Sequence, residues 1–435
     1  MVALFFFLYP HEFNFLFSLL WVGFLFLVGF SMGGTLRTFL FLDSFSFFLI
    51  LLAVLVFFSS ILSVLYEKFR YSHWGYLNFL LFFLLFFLFY LFFSCNMFLF
   101  YVFFELTVIP TFIIIIGWGY RVNRIQASFY MVIYMLLSSF PLLLSILFSN
   151  DSGLSFSFFF NFFIKSHSLG SFWWFLFFLV FSVKLPLFFL HLWLPKAHVD
   201  APLLGSMVLA GVLLKMGGFG VYRVRFLYFL FYFEYGWLLA CLSLVGSFYS
   251  AIVCLRQVDI KSLVAYSSIV HMGPVLSCFF LLSYYRIMGS YLVIFSHGLC
   301  SCALFFLLTF IRKNFFRRRV FLLRGSIVLG GVFSFFWVVF CFFNMAAPPS
   351  FNFFSELISI FSCLLYGRGF FFIFFLLSVF VGFYCVIIMV SVMHGSLVRH
   401  NFLAPFSIKL SDLLSAFFLL FFLFFFVFFS FIFYC

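Results

Sequence analysis

The sequence predicts an all-α, polytopic membrane protein, and three observations lead to this prediction. Hydrophobic residues make up 68% of the 435 residues and charged residues only 8%, whereas a soluble domain is about half apolar and about a quarter charged. The apolar residues form runs that suit bilayer-spanning helices of roughly 20 residues. These runs lack the alternation of apolar and polar residues found in a membrane β-barrel. Helices therefore remain the way to satisfy the backbone hydrogen-bonding groups in lipid. This composition excludes a soluble enzyme, a disordered protein and a nucleic-acid-binding domain.

Short polar breaks divide the chain into about thirteen predicted transmembrane helices. They lie near residues 5–30, 40–65, 77–94, 96–118, 127–148, 172–190, 200–221, 236–255, 262–283, 287–310, 326–365, 371–393 and 413–434. We predict that 1–435 forms a single integral membrane domain. Its expected parts are a first half at 96–221, a second half at 236–393 and a C-terminal helix at 413–434.

Two of the predicted spans contain prolines that should interrupt a helix. The eleventh span is unusually long and carries Pro348 and Pro349, and the sixth carries Pro186 shortly after Lys184. Proline lacks the backbone N–H that an interior helical position needs. Breaks at membrane depth are tolerated where the freed backbone lines a polar cavity or packs against protein. The two breaks are therefore candidate parts of a polar path.

The distribution of basic residues tests the number of spans. When alternate connections are assigned to opposite sides, 15 Lys and Arg residues fall on one side and 6 on the other. Basic residues concentrate in short loops on the cytoplasmic or matrix side, so the N-terminus is predicted to lie there and the C-terminus opposite. This topology also accounts for the net charge of +13 and for the run Arg317–Arg319, so we predict no nucleic-acid partner.

Four charged side chains lie inside predicted spans, where charge is costly. They are Glu105, Lys184, Lys215 and Glu356. An ionisable group near the bilayer centre costs roughly 2.5–3.5 kcal/mol or more and by default marks a functional pathway. Two acids and two bases can pair, which reduces the cost, and burial favours the neutral form that a proton relay requires. Static ion bridges that hold helices together are the structural alternative.

Four histidines are further candidates. His271 and His297 lie in or near the ninth and tenth spans, and histidine titrates nearest neutral pH, so beside the four charges they are expected to carry protons. His191 and His198 flank residues 192–197, which we predict to be a loop, and they either line the mouth of a half-channel or brace that loop. Their separation fits no standard metal spacing and the cysteines form no C-x-x-C, so no metal site is predicted.

Five stretches resemble a known family. The longest is KLPLFFLHLWLPKAHVDAPLLGSMVLAGVLLKMGGFGVYR at 184–223, and it is similar to the signature of the chain 4 family of respiratory NADH–ubiquinone oxidoreductase (complex I). The others, in the family's order, are FFELTVIPTFIIIIGWG (103–119), RQVDIKSLVAYSSIVHMG (256–273), SHGLCSCALF (296–305) and NMAAPPSFNFFSEL (344–357). HLWLPKAH followed by Ala-Pro and Gly-Ser-Met favours chain 4 over the related chains 2 and 5 and over cation/proton antiporters.

The resemblance implies an antiporter-like fold with inverted repeats and broken helices, in a subunit that moves protons across the mitochondrial inner membrane. It implies that this chain holds no cofactor, because FMN, iron–sulfur clusters and ubiquinone are used in other subunits. The implied partners are the neighbouring antiporter-like chains 2 and 5, accessory subunits and lipids such as cardiolipin.

The resemblance also implies a role for each candidate residue. Glu105 and Lys184 would form an ion pair that opens and closes, and Lys215 would be the central proton carrier. The histidines at 271 and 297 would pass the proton laterally toward Glu356, which would face the exit or a neighbouring subunit.

Two features depart from the family pattern. Asp200 stands where the family usually has Glu, which keeps the charge. Glu105 lies on the fourth predicted span instead of the family's fifth, so we expect that the family's first helix is missing. Two other functions remain open from the sequence: a stand-alone cation/proton antiporter and a structural scaffold that has lost its coupling.

Overall fold

A computed structural model describes residues 43–64, 73–151, 171–224, 229–281, 283–315, 325, 331–395 and 410–429. In these ranges the chain consists of helices joined by short connections. The first predicted span, the run Arg317–Arg319 and the expected loss of a first helix lie outside the described residues.

Nine helices in these ranges are long and apolar enough to cross a membrane. In chain order the helices are α1 (Ser44–Val64), α2 (Trp74–Phe93), α3 (Met97–Leu106), α4 (Val108–Trp118), α5 (Arg124–Asp151), α6 (Ser171–Lys184), α7 (Trp193–Asp200), α8 (Leu203–Val224), α9 (Phe229–Leu255), α10 (Ile260–Phe280), α11 (Tyr284–Phe315), α12 (Gly331–Asn344), α13 (Phe351–Leu364), α14 (Arg368–Met393) and α15 (Leu410–Phe429). Within the described ranges, every predicted span after the first overlaps one helix or a broken pair of helices, which confirms the helical prediction.

Both predicted breaks are present. The helix α6 ends at Lys184, and a short 3₁₀ turn at Phe188–Leu190 separates it from α7. The helix α12 ends before Pro348 and Pro349, and α13 then begins after Ser350, whose hydroxyl accepts a hydrogen bond from the backbone N–H of Phe353 at 3.2 Å. Such a cap satisfies one of the free N–H groups of the first turn, so it stabilises the start of α13 at Phe351.

The prediction of a loop at 192–197 is wrong, because residues 193–197 lie in α7 and Leu192 immediately precedes it. Pro195 is compatible with this helix because it occupies the first turn, where the N–H groups have no intrahelical partner and proline costs little. The indole N–H of Trp193 donates to the carbonyl oxygen of Val183 at 3.1 Å. This hydrogen bond ties α7 to the end of α6 across the break.

The centre of the molecule is built from α8, α10 and α11, which are almost entirely buried. Close approach of α8 and α11 depends on two glycines. A Cβ atom at Gly211 would lie 2.5 Å from the sulfur of Cys302, and one at Gly298 would lie 3.2 Å from the carbonyl oxygen of Gly211. Small residues at such crossings let membrane helices pack backbone to backbone. The predicted halves at 96–221 and 236–393 meet at this crossing, and their boundaries stay a prediction.

Candidate functional site

Lys215 lies at the centre of the buried core. It is carried by α8 just after a π-helical turn at Leu209–Leu213, a wider turn of the kind often found at functional sites. The side chain is fully buried, and its ammonium donates a hydrogen bond to the carbonyl oxygen of Ala210. In the part of the chain that the structure describes, no carboxylate lies within 4.0 Å of this ammonium. The lysine is therefore held by a carbonyl oxygen and not by a counter-ion.

His297 is the nearest titratable partner of Lys215. Its Nδ1 atom lies 3.4 Å from the lysine Nζ, and the contact follows directly from the packing of α8 on α11 at Gly211 and Gly298. The imidazole is buried, and its Nε2 atom has no hydrogen-bond partner among the described residues. The central lysine and this histidine are thus in direct contact in the structure.

His271 is the next titratable neighbour of His297. The centroids of the two imidazole rings are 5.0 Å apart. The Nδ1 atom of His271 lies 3.4 Å from a carboxylate oxygen of Glu356. Lys215, His297, His271 and Glu356 therefore form a consecutive series of neighbouring titratable groups on four different helices.

The helix α13 places Glu356 beside His271. Ser355, the preceding residue, has its hydroxyl 3.3 Å from that of Ser296 on α11. A Cβ atom at Gly289, also on α11, would lie 3.2 Å from the backbone nitrogen of Ser359. Contacts on both sides of Glu356 thus hold α13 against α11, which carries His297.

Glu105 and Lys184 are near each other but are not directly paired. The Lys184 ammonium lies over the ring of Phe104 and donates to the carbonyl oxygen of that residue at 3.0 Å. Among the described residues no ion pair within 4.0 Å joins Lys184 to Glu105, although the two charges interact electrostatically. One carboxylate oxygen of Glu105 has no hydrogen-bond partner in the described ranges. The implied ion pair is therefore not closed in this arrangement.

Two sequence features explain where Lys184 lies. It is the last residue of α6, at the predicted break, and a Cβ atom at Gly217 would lie 3.1 Å from the lysine Cβ. That glycine packs α8 against the end of α6. The packing makes the two lysine-bearing segments neighbours, yet Lys184 and Lys215 each donate to a separate backbone carbonyl and not to a shared group.

The two remaining histidine candidates are both buried. His191 stacks on Phe188 with 4.9 Å between ring centroids. His198 is part of α7 and stacks on Phe305 at 4.8 Å, and neither of its ring nitrogens has a hydrogen-bond partner among the described residues. The expectation that they brace a loop is wrong, since His198 lies in a helix and His191 in the tight turn before it.

A polar cluster at one end of the site was not predicted from the sequence. The Arg121 guanidinium lies 2.9 Å from Asp259 and 3.7 Å from Asp200. Lys261 is buried, and its ammonium donates to the carbonyl oxygen of Ala201 at 2.8 Å. Residues from the two predicted halves therefore join at the end of α7. The spacing D-x-K at 259–261 was the available signal, but it was assigned to a connection between spans.

A second residue missed by the sequence reasoning is Tyr384. It is fully buried on α14, and its hydroxyl lies 3.1 Å from the Nε2 atom of His271. Nothing in its apolar surroundings sets it apart from the other tyrosines of the chain.

The pattern of buried lysines, histidines and acids on broken helices matches a known family. Residues 94–382 match the family described as NADH:quinone oxidoreductase/Mrp antiporter, TM. This region is well over half of the chain, and it contains every group from Glu105 to Glu356. The chain belongs to this family.

Individual relatives narrow the assignment. The sequence is 37% identical over 320 residues to NADH-ubiquinone oxidoreductase chain 4 of Lumbricus terrestris, which covers 73% of this chain and 71% of that protein. The protein of the same name from Ceratitis capitata is 40% identical over 266 residues, covering 61% of this chain and 59% of the relative. The protein of this name from Artemia franciscana is 43% identical over 261 residues, covering 58% of this chain and 64% of the relative. Within the family, the chain groups with NADH-ubiquinone oxidoreductase chain 4, although it spans less than two thirds of the last two relatives.

Solved structures agree on the fold. A chain of respiratory complex I from Thermus thermophilus superposes with a TM-score of 0.79 at 23% identity, covering 88% of this chain and 81% of that one. A chain of the Mrp complex from Dietzia superposes with a TM-score of 0.76 at 16% identity, covering 82% and 68%. The prediction of an antiporter-like membrane fold is confirmed.

Proposed function

We propose that this chain is a proton-translocating membrane-arm subunit of respiratory complex I, the H⁺-translocating NADH:ubiquinone reductase of the mitochondrial inner membrane. Other subunits would carry the FMN, iron–sulfur clusters and ubiquinone, and this chain would hold no cofactor. Its partners would be antiporter-like chains 2 and 5, accessory subunits and lipids such as cardiolipin. The N-terminus would face the matrix and the C-terminus the intermembrane space.

The observation that carries the proposal is the series of contacts from Lys215 to Glu356. A proton leaving the Lys215 ammonium needs an acceptor within reach, and His297 Nδ1 lies at 3.4 Å. The next ring, His271, neighbours His297 and faces Glu356 through its Nδ1 atom. Histidine can hold and release a proton near neutral pH, so each group has a neighbour that can receive the proton. Glu356 then passes it to the exit or to the adjoining subunit.

Lys184 and Glu105 would control when Lys215 is loaded. Two unit charges 4 Å apart interact by about 4 kcal/mol at an effective dielectric constant of 20. Closing the Glu105–Lys184 pair would therefore change the electrostatic potential at the neighbouring lysine enough to favour proton uptake or release. Lys184 donates to the Phe104 carbonyl, the residue next to Glu105, so a small side-chain movement suffices to exchange the carbonyl for the carboxylate.

The two buried histidines His191 and His198 would contribute to a half-channel that leads to Lys215. His198 has two unsatisfied ring nitrogens among the described residues, and a buried polar group without a protein partner is commonly satisfied by water. It lies on α7, whose end is bound by Lys261 through the carbonyl oxygen of Ala201. Water between these groups would connect one membrane surface with the core.

The direct experiment is Lys215→Met in the intact complex, reconstituted into liposomes, with measurement of protons moved per NADH oxidised. Removing an essential proton carrier slows the transfer by about 10²-fold or more, so the ratio falls. Lys196→Met is the matched control, because Lys196 is exposed on α7 and its ammonium lies 3.7 Å from the centre of the Tyr130 ring.

An unchanged ratio in Lys215→Met contradicts the proposal and favours a structural scaffold. Isolation of the chain without redox partners, with exchange of Na⁺ for H⁺ in vesicles, would instead support a stand-alone antiporter. The likeness to the Mrp complex concerns the fold alone, so only such an exchange activity distinguishes the two functions.

A further inference from the structure

One contact of His271 lies outside the proposed relay. The Nδ1 atom of His271 faces Glu356 at 3.4 Å, and the opposite ring nitrogen, Nε2, lies 3.1 Å from the hydroxyl of Tyr384. Tyr384 belongs to α14, a helix that contributes none of the relay residues. Its side chain is fully buried, so this hydroxyl has been placed in the interior, where a polar group is costly unless it is hydrogen-bonded.

The backbone beside Tyr384 is anchored to the second broken helix. The side-chain amide of Asn344, the last residue of α12, donates to the sulfur of Cys385 at 3.3 Å. The thiol of Cys300, on α11 next to the relay, lies 3.9 Å from the Asn344 amide oxygen. Position 384 is therefore fixed relative to the break between α12 and α13 and to α11, the helix that carries His297.

The chemistry of the hydroxyl suits a histidine that changes its protonation state. The tyrosine oxygen can accept a hydrogen bond from a protonated Nε2 atom whether or not Nδ1 also carries a proton. When His271 carries two protons, its Nδ1–H bond breaks and an O–H bond forms on Glu356. The ring that remains is neutral and keeps its Nε2–H group, which donates a hydrogen bond to the tyrosine oxygen. No proton passes through Tyr384 in this step.

We propose that Tyr384 is a positioning residue that keeps the Nδ1 atom of His271 directed at Glu356 in both protonation states of the ring. The inference rests on the proposed function of the His271–Glu356 contact as a step of the relay. Without the hydroxyl, Nε2 loses this buried partner, and the ring can rotate away from Glu356.

The test is Tyr384→Phe in the intact complex, which removes one oxygen atom and keeps the ring. Loss of one buried hydrogen bond corresponds to a fall in proton pumping per assembled complex of roughly twofold to thirteenfold. We also expect a larger solvent deuterium isotope effect on NADH oxidation, because a misaligned proton transfer becomes rate-limiting. Tyr291→Phe is the control, since Tyr291 is buried on α11 and stacks on Phe45.

Two further variants separate the possible results. In a His271→Gln background, Tyr384→Phe should cause no additional loss, because residues that act through one another are not additive. An additional loss in that background overturns the inference. So does less assembled complex with normal pumping per complex and a normal isotope effect, which indicates a packing role only.

Lys215→Met distinguishes failure of this inference from failure of the proposed function. If Lys215→Met abolishes pumping and Tyr384→Phe changes neither pumping nor the isotope effect, the positioning role is overturned and the relay stands. If Lys215→Met itself pumps normally, the relay fails and the role of Tyr384 fails with it.

Discussion

The two halves of the site hold their buried charges in different ways. In the first half, the ammonium groups of Lys184 and Lys215 donate to backbone carbonyls, and Glu105 has no ion-pair partner within 4.0 Å among the described residues. In the second half, His271 is bound on one side by Glu356 and on the other by Tyr384. One half thus presents separate charges, and the other presents side chains already in contact.

In the proposed relay, this difference would give the halves different tasks. A carbonyl oxygen holds an ammonium without fixing its charge through a counter-ion, so the first half would load or unload a proton as its surroundings change. The second half has its partners in place and would conduct protons without a large rearrangement. His297 lies between the two halves, because its Nδ1 atom contacts Lys215 and its ring centroid lies 5.0 Å from that of His271.

Replacing His297 should cause the largest loss of proton pumping. His297→Leu removes the group that links the two halves, and we expect proton transfer to slow by about 10²-fold. The measurement is protons moved per NADH oxidised in liposomes. His394→Leu serves as the control, since His394 is exposed after the end of α14. Equal pumping in the two variants would show that protons bypass His297.

Replacing the acid of each half with glutamine compares how much each half contributes to proton pumping. Glu356→Gln removes a carboxylate in contact with His271, and a hydrogen bond to a charged group is worth about 1.5–3 kcal/mol, or at least tenfold in rate. Glu105→Gln removes a carboxylate without a direct ion pair, so its loss of pumping should be smaller but in the same direction.

The matched control for both acids is Glu234→Gln, because Glu234 is exposed on α9. The comparison of the halves is wrong if Glu105→Gln reduces pumping more than Glu356→Gln does.

Gly211→Ala should move α8, which carries Lys215, away from α11, which carries His297, without altering a titratable group. The added Cβ would lie 2.5 Å from the sulfur of Cys302 and 2.9 Å from Val56, and overpacking of this kind costs about 1–3 kcal/mol. The helix α8 should shift away from α11, lengthen the Lys215–His297 contact, and lower both thermal stability and pumping. Gly117→Ala is the control, because a Cβ there meets no atom within 4 Å.

Arg121→Gln should have the smallest effect. The Arg121 side chain is 40% exposed where it bridges Asp200 and Asp259, and an exposed ion pair contributes about 0.2–1 kcal/mol. We expect a slightly lower unfolding temperature for the variant at low salt. The difference should shrink at high salt, because salt screens exposed charges. Arg368→Gln, at an exposed arginine that begins α14, should show neither effect.

The sequence was sufficient to predict the helical class and the two breaks, and it singled out six candidate relay residues whose roles stay a prediction. Long apolar runs, prolines and rare charges are local signals, and they survive in a chain with 91 phenylalanines. The helix α7 was missed because Pro195 reads as a loop residue unless its place in a first turn is known. The side chain of Tyr384 was missed because its role depends on how α14 packs against α10, a contact between residues 113 positions apart.

Distances explain the remaining difference between prediction and structure. Lys184 and Glu105 are identifiable from their motifs, but whether the ammonium binds a carboxylate or a carbonyl depends on movements of less than a side-chain length. Sequence patterns cannot resolve such a choice, whereas the 3.0 Å hydrogen bond from Lys184 to Phe104 does.

The most direct test of the contrast between the halves is a structure of the whole complex at a resolution that shows ordered water. We predict ordered waters between the ammonium groups of Lys184 and Lys215, each of which donates to its own backbone carbonyl. We also predict direct contacts from Tyr384 through His271 to Glu356. Water inserted between His271 and Glu356, together with a dry gap between the two lysines, would contradict the account.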